Sequence, residues 1–115
     1  MQIIINYKLD NWNDTIKHCR NNKYGANTQK KREMAIIKLF LRNVPPITKY
    51  PIRINCIWHV TNIGSDLDNK SLKAVLDQMQ IMGILKNDNI NHIRQINHMA
   101  VKDRTDYLVM DIEPL

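Results

Sequence analysis

The 115-residue sequence has no long apolar run. A helix that crosses a bilayer needs about 20 consecutive apolar residues, and no segment approaches that length. The apolar run after Met1 is too short for a signal peptide, and no basic residues precede it. These features predict a cytoplasmic protein without a membrane partner.

Cysteine is scarce, with only Cys19 and Cys56, and the two are far apart and form no CxxC motif. Reduced thiols are therefore expected rather than a disulfide or a zinc site. The chain also contains no repeat, no low-complexity tract and no linker long enough to divide it. At this length, a single domain spanning residues 1–115 is predicted.

Positive charge is unevenly distributed along the chain. Residues 1–60 contain eleven Lys and Arg against three Asp and Glu, whereas residues 61–115 contain six against eight. A basic half indicates a polyanionic partner, although a solvated surface explains a modest excess equally well. Interleaved Asn and Tyr can add hydrogen bonds to phosphate or a stacking face. The candidate DNA contacts are Lys17, Arg20, Lys23, Lys30, Lys31 and Lys70.

Hydrophobic periodicity identifies the central elements. Residues 52–60 alternate between apolar and polar, which predicts a half-buried strand. Residues 69–82 carry an apolar stripe at helical spacing, with Asp68 or Asn69 as N-cap and Gly83 as C-cap. The stripe consists of Leu72, Val75, Leu76, Met79 and Met82.

The remaining elements complete a predicted α+β fold. A helix with Thr28 as its N-cap is expected to extend to about Arg42, and strands are expected at residues 2–7, 90–102 and 106–112. The apolar face of the first helix would be Ala35, Ile36, Ile37, Phe40 and Leu41. The order is β-α-β-α-β-β, which favours a mixed, mostly antiparallel sheet with two main helices on one face.

Three acidic residues are unusual in their placement. Asp66 and Asp68 lie two residues apart just before the second helix, and Asp88 follows that helix. Alternate side chains of an extended segment point the same way, so Asp66 and Asp68 could face one cation. Carboxylate oxygens are ligands that Mg²⁺ prefers. The alternative is structural, because turn and N-cap positions also favour Asp.

The segment DLDNKSLKAVLDQMQIMGILKNDNI resembles the signature of RusA-type Holliday-junction resolvases. That family shows D-x-D-N, a Lys before an apolar-x-x-L-D helix, a Gly and then an acidic pair. The matching positions here are Asp66, Asp68, Asn69, Lys73, Leu76, Asp77, Gly83 and Asp88. Lys70 could share the role of Lys73, and Asn87 replaces the first acid of the family's second pair.

The resemblance implies a RusA-like fold and a homodimeric endonuclease that cuts four-way DNA junctions by symmetrical nicks. It implies Mg²⁺ as cofactor, with Mn²⁺ as a substitute, and Asp66, Asp68 and Asp88 as catalytic metal ligands. Lys73 would neutralise charge on the scissile phosphate. Two alternatives stay open: a branched-nucleic-acid-binding protein that does not cut, and a different metal-dependent nuclease acting on flaps or RNA.

Overall fold

The computed structural model describes the backbone of residues 1–9, 23–64 and 66–115, and their side chains except those of 23–29 and 69. The described elements follow the predicted order, with one short 3-10 helix added before the second α-helix. They are β1 (Gln2–Ile5), α1 (Lys23–Leu41), β2 (Ile52–Val60), the 3-10 helix Leu67–Asn69, α2 (Lys73–Ile81), β3 (Ile93–Lys102) and β4 (Tyr107–Pro114).

The four strands form one mixed sheet in the order β1-β4-β2-β3. β4 pairs antiparallel with both β1 and β2, so the sheet is mostly antiparallel, as predicted. β2 and β3 are parallel, because the chain crosses back through α2 between them. The two parallel strands therefore both begin at one end of the sheet and finish at the other end.

One face of the sheet packs against both helices and forms the hydrophobic core. The predicted alternation of β2 is confirmed, since every second residue from Ile52 to Val60 is buried. Trp58 is 5% exposed, as expected for a member of that row. Cys56 in the same row is a free thiol, and burial raises its pKa to about 12. Cys19 lies outside the described residues.

Helix α1 differs from its prediction in start and in buried face. It begins at Lys23, so Thr28 lies inside the helix and does not cap it. The expectation that Ala35 and Phe40 face the core was wrong, because both are exposed. The buried positions recur every fourth residue, at Glu33, Ile37 and Leu41. Packing against α2 and β1 selects this narrow stripe from a helix with apolar residues on several sides. No helix in the described part of the chain is long and apolar enough to cross a membrane.

Helix α2 buries the predicted stripe, with Met82 half-buried at its end. Its N-cap was wrongly predicted, because the cap is Leu72 rather than Asp68 or Asn69. The Gly83 C-cap is confirmed. Gly83 has φ of 75°, and the Ile84 N–H donates to the Met79 carbonyl at 2.9 Å, a Schellman ending.

Candidate metal and nucleic-acid site

Residues 66–70 form a turn, here called the acidic turn, between β2 and α2, in which Asp66, Leu67 and Asp68 are exposed. Asp66 is in extended conformation before the 3-10 helix, and Asp68 lies in that helix. The Lys70 N–H donates to the Leu67 carbonyl at 3.1 Å and closes the turn. Asp66 makes no capping hydrogen bond, and α2 starts after Leu72. Helix capping therefore does not explain why these two carboxylates are present.

Acidic residues elsewhere in the described chain are engaged with partners. Asp77 pairs with Lys73, Asp111 with the N-terminal amino group, and Glu113 with Arg53. Asp103 accepts from Tyr107 and contacts His59, Asp106 accepts from Thr61, and Glu33 also has a partner. Among the described residues, the acidic side chains left without a hydrogen bond or ion pair are Asp66, Asp68 and Asp88.

Two lysines flank the acidic turn. Lys70 Nζ lies 5.9 Å from the centroid of the Trp58 ring, a cation–π contact that holds the turn against the end of β2. Lys73 begins α2 and is 68% exposed, with its Nζ 3.6 Å from Asp77 Oδ2. An exposed pair of this kind is weak, so Lys73 is available to a phosphate that approaches the turn.

Asp88 lies in a second exposed turn, before β3. The turn is formed by asparagine side chains: Asn87 Oδ1 accepts from the Asn89 N–H at 3.0 Å, and Asn89 Oδ1 accepts from the Asn91 N–H at 3.1 Å. The turn was expected as a structural alternative, and the asparagines account for it. The Asp88 carboxylate has no hydrogen bond or ion pair with a described residue.

The two turns lie at opposite ends of the parallel pair. Lys70 anchors the acidic turn at Trp58, whereas the His92 carbonyl accepts from the Ile52 N–H at 2.8 Å and anchors the Asp88 turn at the start of β2. Six residues of extended strand separate Ile52 from Trp58, a distance of about 20 Å. One chain therefore brings Asp66 and Asp68 together on one turn and leaves Asp88 apart.

The described residues contain no group of three His, Cys, Asp or Glu side chains that could hold a metal ion. Mg²⁺ is commonly held by one or two carboxylates together with water and substrate phosphate. Asp66 and Asp68 supply that donor type from an exposed turn, but Leu67–Asn69 is a 3-10 helix, so the expectation that an extended segment points both carboxylates the same way was wrong. Assignment of all three aspartates to one ion stays a prediction.

The predicted DNA contacts are only partly described. Lys30 and Lys31 are exposed on α1, and Lys70 is half-buried beside Trp58. Lys23 begins α1, but its side chain is outside the described part of the structure, as are Lys17 and Arg20 altogether. DNA binding by these residues stays a prediction.

His98, which is held beside Trp58, was not predicted from the sequence as part of a site. The Trp58 Nε1–H donates to Nδ1 of His98 at 3.0 Å. Since an indole N–H only donates, Nδ1 must be unprotonated and the neutral ring carries its proton on Nε2. Desolvation by burial lowers the pKa of His98 and favours this neutral form. Only the register of β3 against β2 reveals the pair, because the two residues are forty positions apart.

A second missed cluster joins the ends of β2 and β4. His59 Nδ1 and Tyr107 Oη each lie 3.0 Å from Oδ2 of Asp103, and the two rings stack with centroids 3.9 Å apart. The Arg104 backbone N–H, then the Tyr107 hydroxyl and His59, lower the pKa of Asp103. Desolvation and the nearby Asp103 raise the pKa of Tyr107. The cluster holds the β3–β4 turn in place at the same end of the strands as the acidic turn.

No protein-family model matches the chain, and no curated protein is significantly similar to it. The likeness to RusA-type resolvases therefore depends on the residues between Asp66 and Asp88. The α+β architecture with a four-stranded mixed sheet and two helices is compatible with it.

Proposed function

We propose that the protein is a Mg²⁺-dependent endodeoxyribonuclease that acts as a homodimer and resolves four-way DNA junctions by paired nicks. The observation that carries the proposal is the set of exposed carboxylates at Asp66, Asp68 and Asp88 without partners among the described residues. Asp66 and Asp68 carry like charges two residues apart on one turn and have no structural partner there, so a cation bound beside them would offset their charge. The remaining acids of the described chain have structural partners, so this set is distinct.

Asp66 and Asp68 would hold the ion on the acidic turn, where DNA can reach it. A bound Mg²⁺ supplies charge stabilisation at the scissile phosphate and a water of lowered pKa. Lys73 neutralises phosphate charge from the first turn of α2, and Lys70 positions an adjacent phosphate against Trp58. Lys73 is exposed at the start of α2 and Lys70 is half-buried against Trp58, and both lie next to the acidic turn.

A homodimer gives Asp88 a place in the same site. A twofold axis can set two copies side by side in opposite directions, so that the Asp88 turn of each copy lies against the acidic turn of the other. Each dimer then contains two equivalent sites, one for each strand to be nicked. The arrangement accounts for an unpartnered Asp88 at the opposite end of the β2–β3 pair from Asp68, with about 20 Å of strand between the two ends.

A protein that binds branched nucleic acid without cutting it is the second candidate. It is favoured by the absence of a three-ligand group within the described part of one chain. A nuclease for flaps or RNA would use the same groups, because phosphodiester chemistry does not specify the shape of the substrate.

The test is cleavage of a labelled four-way junction, beside linear duplex, flap and RNA substrates, with Mg²⁺ and with a chelator. Cutting of the junction alone, lost with the chelator and in Asp68→Asn, is expected. Asp111→Asn is the matched control, since Asp111 is an exposed acid on β4 away from both turns. Binding without cutting by any divalent ion would establish the second candidate instead, and equal cutting of flaps or RNA would change the substrate.

A further inference from the structure

Strand β3 is exposed along most of its length. It lies at the edge of the sheet, and residues 94–100 are all exposed. Ile96 and Met99, on opposite faces of the strand, are 40% and 51% exposed. The neighbouring residues of β2 on the core-facing side are buried, so the helices cover β2 and leave β3 open.

The core-facing side of β3 beyond the helices is here called the β3 surface. Its residues are the register partners of the buried β2 row. They are Ile96, His98, Ala100 and Lys102. Ala100 allows close approach, and the row ends next to the acidic turn, because the 3-10 helix contacts β3 and Lys70 contacts Trp58, the register partner of Ala100.

The ionisable groups of β3 suit an anionic partner. Arg94 and Lys102 are basic, His98 is the other titratable residue, and no Asp or Glu occurs between Ile93 and Lys102. Pairing with β3 of a second copy in antiparallel register about His98 would set Arg94 opposite Lys102 and repel. A polyanion, in contrast, would neutralise the positive charges of Arg94 and Lys102.

His98 adds a neutral donor to this surface. Because Trp58 fixes Nδ1 as the acceptor, Nε2 carries the proton of the neutral ring. Backbone phosphates are bound by neutral donors as well as by Lys and Arg. His98 and Lys102 lie four residues apart on the same side of the strand, about 13 Å along it.

We propose that the β3 surface binds a DNA strand along its phosphate backbone and leads that strand to the acidic turn. Lys102 neutralises a phosphate at one end of the row, and His98 donates Nε2–H to an oxygen of the next phosphate along. Arg94, which precedes the row at the irregular step of the β2–β3 register, neutralises a phosphate beyond the other end. The inference rests on the proposed function only in taking DNA as the polyanion.

The experiment measures binding of a fluorescent four-way junction, and of a single strand, as a function of salt with chelator present. Each phosphate contact contributes about 0.7–0.9 to the slope of log K against log salt. Lys102→Ala and Arg94→Ala are each expected to lower the slope by about that amount. His98→Gln is expected to weaken binding about fivefold, as for one hydrogen bond, with the slope unchanged. Lys38→Ala, an exposed lysine on α1, is the matched control and is expected to leave the slope unchanged.

Ala100→Glu and Ala100→Gln form a second pair that keeps both residues of the Trp58–His98 hydrogen bond. The Glu variant should bind at least tenfold more weakly than the Gln variant of equal size. Wild-type slopes for both β3 basic variants, or no binding by the wild type, would overturn the inference. A change in molar mass for Ala100→Glu with unchanged binding would also overturn it and assign the surface to a second copy. The binding assay needs no divalent ion, whereas cleavage needs Mg²⁺. Failure of the β3 surface to bind DNA can therefore be distinguished from failure of the protein to cleave it.

Discussion

Asp68 and Asp88 lie at opposite ends of the parallel β2–β3 pair, although both were expected to contact one metal ion. The crossover through α2 causes the separation, because it returns the chain to the end where β2 began. Neither carboxylate has a partner among the described residues. This separation is the reason that the proposed site requires a second copy to bring Asp88 to the acidic turn.

Asp68→Asn should abolish cleavage without destabilising the protein. A surface carboxylate without a partner contributes little, so the free energy of unfolding should change by less than about 0.5 kcal/mol. Asp103→Asn should lower the urea midpoint, because it weakens the contacts with Tyr107 and His59. Urea unfolding at pH 7 checks both variants, and a clear loss of stability in Asp68→Asn would give that residue a structural role.

The Asp103 contribution should also depend on pH. Its folded-state pKa is lowered, so its stabilisation is present above the ordinary carboxyl pKa and is lost as pH falls through the lowered value. The stability difference between wild type and Asp103→Asn should therefore shrink below about pH 4. A difference that stays constant from pH 7 to pH 3 would contradict the assigned contacts.

Alanine variants of the two lysines beside the acidic turn should differ in which kinetic constant they change. Lys73→Ala should lower kcat about 100-fold with little change in KM, as for loss of one group that stabilises transition-state charge. Lys70→Ala should mainly raise KM, because it removes a positioning contact beside Trp58. Single-turnover cleavage of the junction measures both effects. The opposite assignment of kcat and KM would give Lys70 the catalytic role.

His98→Gln should alter the pH dependence of stability. Burial lowers the pKa of His98 from 6.5, so near that pH the unfolded chain binds more protons than the folded chain. Stability from this group is present above pH 6.5 and is lost as pH falls toward the lower folded value. Wild type should therefore lose more stability than His98→Gln between pH 7 and pH 5. Parallel urea-midpoint curves for the two proteins would show that His98 titrates normally.

Gly83→Ala should destabilise the fold without affecting DNA binding. The position requires φ of 75°, and a left-handed conformation costs a residue with Cβ about 1 kcal/mol. No atom lies within 4 Å of the Cβ that would be added, so the cost comes from the backbone alone. Urea unfolding should show this loss, with junction binding unchanged.

The pattern of apolar and polar residues correctly predicted those elements in which buried side chains recur at regular intervals along the chain. Strand β2 has the predicted bounds, because each second side chain enters the core. The face of α1 could not be predicted, since Phe40 is as apolar as Ile37 and only packing against α2 and β1 decides which of them is buried. The alignment of β3 against β2 also depends on tertiary packing. The sequence of either strand alone therefore does not predict the Trp58–His98 hydrogen bond.

The candidate site shows the same limit. Asp66 and Asp68 are neighbours in sequence, and their shared turn follows from that proximity. The position of Asp88 depends on the direction of β3 relative to β2, which periodicity does not specify. A parallel crossover places the start of β3, and Asp88 just before it, at the far end of the sheet; an antiparallel β3 would have begun beside the acidic turn.

Subunit mixing tests the shared site most directly. Asp68→Asn and Asp88→Asn are each expected to be inactive alone on the junction with Mg²⁺. Unfolded together in equal amounts and refolded, they form mixed dimers in which one site keeps both Asp68 and Asp88. Nicking should return to about a quarter of the wild-type level, as single nicks rather than paired ones. An inactive mixture, with active wild type refolded in parallel, would contradict a site shared between two copies, and so would full activity of Asp88→Asn alone.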